Sequence, residues 1–185
     1  MLKKILCAGL LASCTLAAHA TTQSWSFTYT GFYQGETDTF NPSLKLTGQF
    51  SGDDVNHDGI IERGELSSFK VGYTDFVACG TTSNQYYSCS NDSFSFKSGG
   101  ALNFSVKEGG SDPEGWIGGS HTITTGNSDS LLSYNPNGRW TKTLIWTPQT
   151  TLTVEAMPVP EPASYAMLVL GLLGIAGLQK RRQRG

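Results

Sequence analysis

A side-chain period of two constrains this chain more than any other feature. Trp25, Phe27 and Tyr29 alternate with Ser26, Thr28 and Thr30, and Leu44 and Leu46 with Lys45 and Thr47. Phe94 and Phe96 alternate with Ser93, Ser95 and Lys97. Leu102, Phe104 and Val106, then Leu144 and Trp146, then Leu152 and Val154 repeat the pattern. An extended strand sends successive side chains to opposite faces, so each run offers one apolar face to a core and one polar face to water. Gly-rich or Asn-rich punctuation falls between the runs at Ser98-Gly99-Gly100, Glu108-Gly109-Gly110, Gly118-Gly119 and Asn135-Pro136-Asn137-Gly138, which reads as turns. The expectation is an all-β fold, an antiparallel sandwich or open barrel, over residues 21–157. Strand order is not legible at this level, and no internal repeat stands out.

Charge narrows the partners. From Thr21 to Pro162 there are seven basic and 15 acidic residues, a net of −8. Phosphate binding needs clustered Lys and Arg, so no nucleic acid is expected as a partner. Two cysteines, Cys79 and Cys89, lie in this region. In an exported chain they are expected to form a disulfide around the Gly80–Ser88 loop. Free thiols or a metal pair are the alternatives.

One motif carries defined chemistry. Asp54, Asn56, Asp58, Gly59 and Glu65 meet every defined position of the twelve-residue EF-hand calcium loop, D-x-[DN]-x-[DN]-G-x5-E. Calcium takes six to eight oxygens at about 2.3–2.6 Å. Alternate positions let one curled backbone aim Asp54, Asn56 and Asp58 inward, and Gly59 permits the sharp turn. Ile60 is expected to offer its carbonyl, Glu62 to ligate through water, and Glu65 to close the site with both oxygens. Ile61 plugs into the core. Upstream, Leu44–Gly52 reads as strand and turn rather than an entering helix. Downstream, Glu65–Phe69 reads as one helical turn before a strand from Lys70 to Tyr73. The expectation is therefore an EF-hand-like loop without its helix pair, holding a structural calcium rather than acting as a helix-opening sensor. The competing reading is a solvated Asp/Asn/Gly turn.

The two ends read as addresses. Residues 1–20 have Lys3 and Lys4, an apolar run from Ile5 to Ala18, and Ala18-His19-Ala20, the layout of a signal peptide cut by signal peptidase. Leu11-Ala12-Ser13-Cys14 offers a competing lipoprotein box. At the other end, residues 163–178 lack charge and are followed by Lys180, Arg181, Arg182 and Arg184. Sixteen residues at about 1.5 Å each give roughly 24 Å of helix, close to spanning a core of about 30 Å with Tyr165 and Lys180 at its borders. A C-terminal transmembrane helix is expected, its arginines cytoplasmic and the acidic domain outside. Pro160, Glu161 and Pro162 precede it and stay extended, because proline bars a helix.

This order of Pro-Glu-Pro, short apolar span and Arg-rich end resembles the PEP-CTERM sorting signal of Gram-negative bacteria, over residues 158–185. The resemblance implies recognition by an exosortase-type membrane enzyme, an integral-membrane cysteine transpeptidase-like protein. It implies cleavage near Pro160-Glu161-Pro162 and passage from an inner-membrane intermediate to the cell surface or extracellular matrix, in species that make exopolysaccharide. A plain single-span anchor is the alternative.

The remaining candidates are weaker. His57 and His121 read as ordinary polar residues, and no G-x-S-x-G elbow occurs. Asp112 and Glu114 could form a glycosidase-like pair. Trp116, Trp140 and Trp146 read as core and turn packing, with a sugar-stacking platform as the competing view. The reading that follows is an exported, non-enzymatic surface or matrix protein. A carbohydrate (exopolysaccharide)-binding module stands second and an extracellular hydrolase third.

Overall fold

A computed structural model describes residues 22–158. The signal segment, Cys14, the sorting tripeptide, residues 163–178 and the arginine cluster lie outside the described residues. Among those described, no helix is long and apolar enough to cross a membrane.

Eleven strands follow in order: β1 (Gln23–Gln34), β2 (Thr39–Gly52), β3 (Ile60–Glu62), β4 (Leu66–Val71), β5 (Thr74–Asp75), β6 (Tyr87–Lys97), β7 (Leu102–Ser111), β8 (Gly118–Thr124), β9 (Ser128–Asn135), β10 (Gly138–Ile145) and β11 (Thr151–Ala156). A four-residue helix, α1 (Cys79–Thr82), precedes β6. All strand pairs are antiparallel and join one sheet, ordered β3-β6-β7-β8-β9-β10-β1-β2-β4-β5. β11 also pairs with β1, along Trp25–Thr30, while β10 pairs only with Tyr33 and Gln34. Since β2 occupies the other edge of β1, β10 and β11 share one edge in succession. The step between them falls opposite a bulge at Gly31, whose φ of 86° suits glycine. Pro42 sits in the same irregular stretch, where its missing N–H breaks no ladder.

The sheet folds over so that its apolar faces meet. From β1, Trp25 packs on Phe96 of β6 and Phe27 on Phe104 of β7, with ring centroids 5.4 and 5.6 Å apart. Phe50 of β2 meets Phe94 and Phe96 at 5.1 and 4.9 Å. Phe69 of β4 meets Phe94 and Phe104 at 4.9 and 5.0 Å. Five of these seven rings, all but Phe50 and Phe69, come from the period-two runs, and their tilted and edge-on contacts suit aromatic quadrupoles. Tyr29 is buried among them, donates its hydroxyl to the Leu102 carbonyl, and burial pushes its pKa up to about 12.

Three expectations need correction. Glu108-Gly109-Gly110 and Gly118-Gly119 are not turns; they lie within β7 and β8. A Cβ on Gly110 would stand 2.5 Å from the Tyr86 carbonyl oxygen, and one on Gly119 2.5 Å from that of Leu132. Glycine marks close backbone approach here, not chain reversal. The strand expected from Lys70 to Tyr73 begins earlier, at Leu66. The helical turn before it is a 3₁₀ turn at Arg63–Glu65. Leu66, Phe69 and Val71 are buried, because anchoring both ends of this stretch in the core outweighs its local preference. Finally, the Leu44–Gly52 stretch is strand to its end, with no turn, since β2 pairs through Gly52 on both sides.

Candidate functional site

The Asp54–Glu65 loop sits at the seam of the folded sheet. β2 and β4 belong to one half, whereas β3 pairs with β6 in the other, so the loop carries the chain from half to half. Asp54 accepts N–H bonds from Asp58 (3.1 Å) and Gly59 (2.8 Å), Asn56 Oδ1 from Asp58 (3.0 Å), and Asp58 Oδ1 from Ile60 (2.8 Å). Glu65 reaches back across the loop: Oε1 accepts from Val55 and Asn56, and Oε2 from Glu62, at 2.9, 3.2 and 3.0 Å. His57 and Gly59 both adopt positive φ, 60° and 81°, which curls the segment. Ile61 is buried, as expected. The loop closes on the sheet where the Asp53 N–H donates to the Glu65 carbonyl at 3.2 Å.

The structure thus brings Asp54, Asn56, Asp58 and Glu65 around one curl, with Ile60 and Glu62 on the adjoining β3. Among the described residues no three His, Cys, Asp or Glu side chains converge as a ready-made metal centre. The donors on the curl are all oxygens: three carboxylates, the Asn56 amide oxygen and the Ile60 carbonyl. Hard oxygen donors of this kind suit calcium. Asp54 Oδ1 and Oδ2, Asp58 Oδ1 and Glu65 Oε2 each accept one backbone N–H and keep a further lone pair, whereas Glu65 Oε1 already accepts two.

Cys79 and Cys89 are joined, with Cα atoms 5.2 Å apart, which ties α1 to β6.

A second cluster was not legible in the sequence. β7, β8, β9 and β10 run past the core, and their register sets the residues of each row side by side. Val106, Ile123, Asp129 and Leu144 form the last core row. Two residues farther out on the same face lie Glu108, His121, Leu131 and Lys142, and beyond them Gly110, Gly119, Ser133 and Trp140. His121 Nε2 stands 2.6 Å from Asp129 Oδ1, and its Nδ1 3.7 Å from Glu108 Oε1. Glu108 Oε2 accepts the hydroxyls of Thr74 (2.5 Å) and Tyr87 (2.6 Å). The hydrogen bond to Asp129 raises the His121 pKa, against the opposing effect of burial, and the two nearby negative charges add to it. Burial and the bond to Glu108 raise that of Tyr87. His121 is therefore not the lone polar residue expected. Its partners are 13 and eight positions away, brought close only by strand register.

The other candidates separate. Trp146 packs edge-on against Tyr29 and Phe32 at 5.4 and 4.8 Å, as core packing requires. Trp116 and Trp140 do not follow that expectation, being 66% and 52% exposed; Trp116 rides the β7–β8 turn, and Trp140 lies beyond the reach of the opposing layer. Asp112 shapes that turn, its Oδ1 accepting the Ile117 N–H at 2.8 Å.

A family model described as the PEP-CTERM protein-sorting motif matches residues 158–182. Nothing matches among curated proteins, and nothing matches among solved structures.

Proposed function

We propose, for a chain that carries the PEP-CTERM protein-sorting motif, a non-enzymatic role at the cell surface or in the extracellular matrix. The motif implies processing by an exosortase-type membrane enzyme and export. The observation that carries the reading is the position of the motif, directly after the β domain ends at Ala156. Residues 163–178 hold the intermediate in the inner membrane, the arginines stay cytoplasmic, and cleavage near Pro160-Glu161-Pro162 frees the domain. Mass spectrometry of the protein from its native host should find Thr21 at the start and no arginine cluster at the end. Replacing Arg181, Arg182 and Arg184 together by alanine should leave the tail attached. Intact, reduced chains in the cytosol would overturn the proposal.

The Asp54–Glu65 loop is the calcium site of this reading. Five acidic side chains between Asp53 and Glu65 repel one another unless a cation sits among them. With a Kd of about 10⁻⁴ M, millimolar calcium stabilises the fold by about 1.4 kcal/mol. The full chain should melt roughly 4 °C higher in calcium than in chelator, and Asp58→Ala should abolish that difference. An unchanged melt in the parent protein would remove the metal.

A carbohydrate-binding module is the second reading, favoured by the exposure of Trp116 and Trp140. The hydrolase reading gains no support from Asp112, which is committed to its own turn.

A further inference from the structure

The inner face of β7–β10 continues outward where the opposing layer stops. That layer ends with β5, whose Thr74 hydroxyl reaches Glu108. Past this point the face is open, and a groove of about 480 Å³ lies over it, lined by Tyr87, Glu108, His121, Leu131, Ser133 and Trp140. Its chemistry is divided. Trp140 and Leu131 offer partly exposed apolar surface. Beside them the Glu108–His121–Asp129 cluster is held by hydroxyl bonds at Glu108 Oε2. Glu108 Oε1, 3.7 Å from His121 Nδ1, remains able to accept a further bond.

We propose that this groove binds an uncharged polysaccharide, one pyranose ring lying on the Trp140 indole and its hydroxyls bonding to Glu108 Oε1 and His121. The inference rests on the carbohydrate reading above and names its site and its ligand class. A pyranose presents an apolar C–H face and a polar rim, which is the division the groove itself shows. Charge selects among glycans. His121 lies against both carboxylates, Glu108 and Asp129, and the exposed Lys142 stands on the same face of β10, opposite Leu131. The region from Thr21 to Pro162 carries a net of −8. A uronate chain is repelled by that field; a neutral hexose chain is not.

The test is affinity electrophoresis of the full chain in detergent, through gels containing dextran, mannan, xylan or, as the anionic probe, alginate. The expected result is retardation in at least one uncharged gel, with affinity lowered at least ten-fold by Trp140→Ala and largely retained by Trp140→Phe. Glu108→Gln, which keeps the side chain's shape, should also weaken it, and Arg139→Ala, on the opposite face, should not. A Trp140→Ala protein that fails to fold would leave Glu108→Gln to decide. Retardation lost with Trp116→Ala but not with Trp140→Ala would sink this groove while keeping the carbohydrate reading. Retardation only by alginate would overturn the ligand class, and no retardation in any gel would remove both.

Discussion

Phe69→Ala is expected to lower stability by about 3–5 kcal/mol, and the melting temperature by roughly 10 °C. Phe69 is fully buried. Its ring lies within 6.2 Å, centroid to centroid, of Phe27, Phe76, Phe94 and Phe104, which come from β1, the segment after β5, β6 and β7. The ring therefore joins both halves of the folded sheet, and alanine leaves a void with rigid aromatic walls that cannot readily collapse into it. Urea unfolding should show a lower midpoint with an unchanged slope. A loss below about 1 kcal/mol would mean the halves do not pack as described.

The second large effect belongs to the disulfide. Cys79→Ala with Cys89→Ala should cost about 2–3 kcal/mol, the chain-entropy value for a loop of this length. α1 has four residues, too few to hold a helix unaided. The buried Cys79 is tethered to β6 by the bond. Hydrogen exchange should accelerate most from Phe76 to Ser88, where freer local opening adds to the global loss, and in β1 by no more than that global loss allows. Reductant should reproduce the effect in the parent and change nothing in the double variant. Acceleration no greater from Phe76 to Ser88 than in β1 would contradict this placement.

The strands were legible because burial on one face writes itself into the sequence at every second position. Phe27, Phe50, Phe69 and Phe104 are buried, and all but Phe69 fall in stretches that read directly as strands. The calcium-type loop was legible for a related reason: its donors are neighbours in the chain, and the curl comes from Gly59 and its flanking residues. The misread segments were those whose meaning depends on a distant strand. Gly109-Gly110 and Gly118-Gly119 look like turns until Tyr86 and Leu132 are placed against them. Leu66 to Phe69 looks helical until β2 pairs with it.

By itself the sequence determined the β class, the two-faced strands, the acidic loop, the cysteine pair and the sorting motif at 158–182. All of these rest on residues close in the chain, or on composition. Only the tertiary structure decided that one sheet folds over itself, that β10 and β11 share an edge of β1, and that His121 meets Glu108 and Asp129 beneath an exposed Trp140. Those relations come from strand register across long separations. Register is set by the sum of many cross-strand contacts, which no local stretch of residues contains.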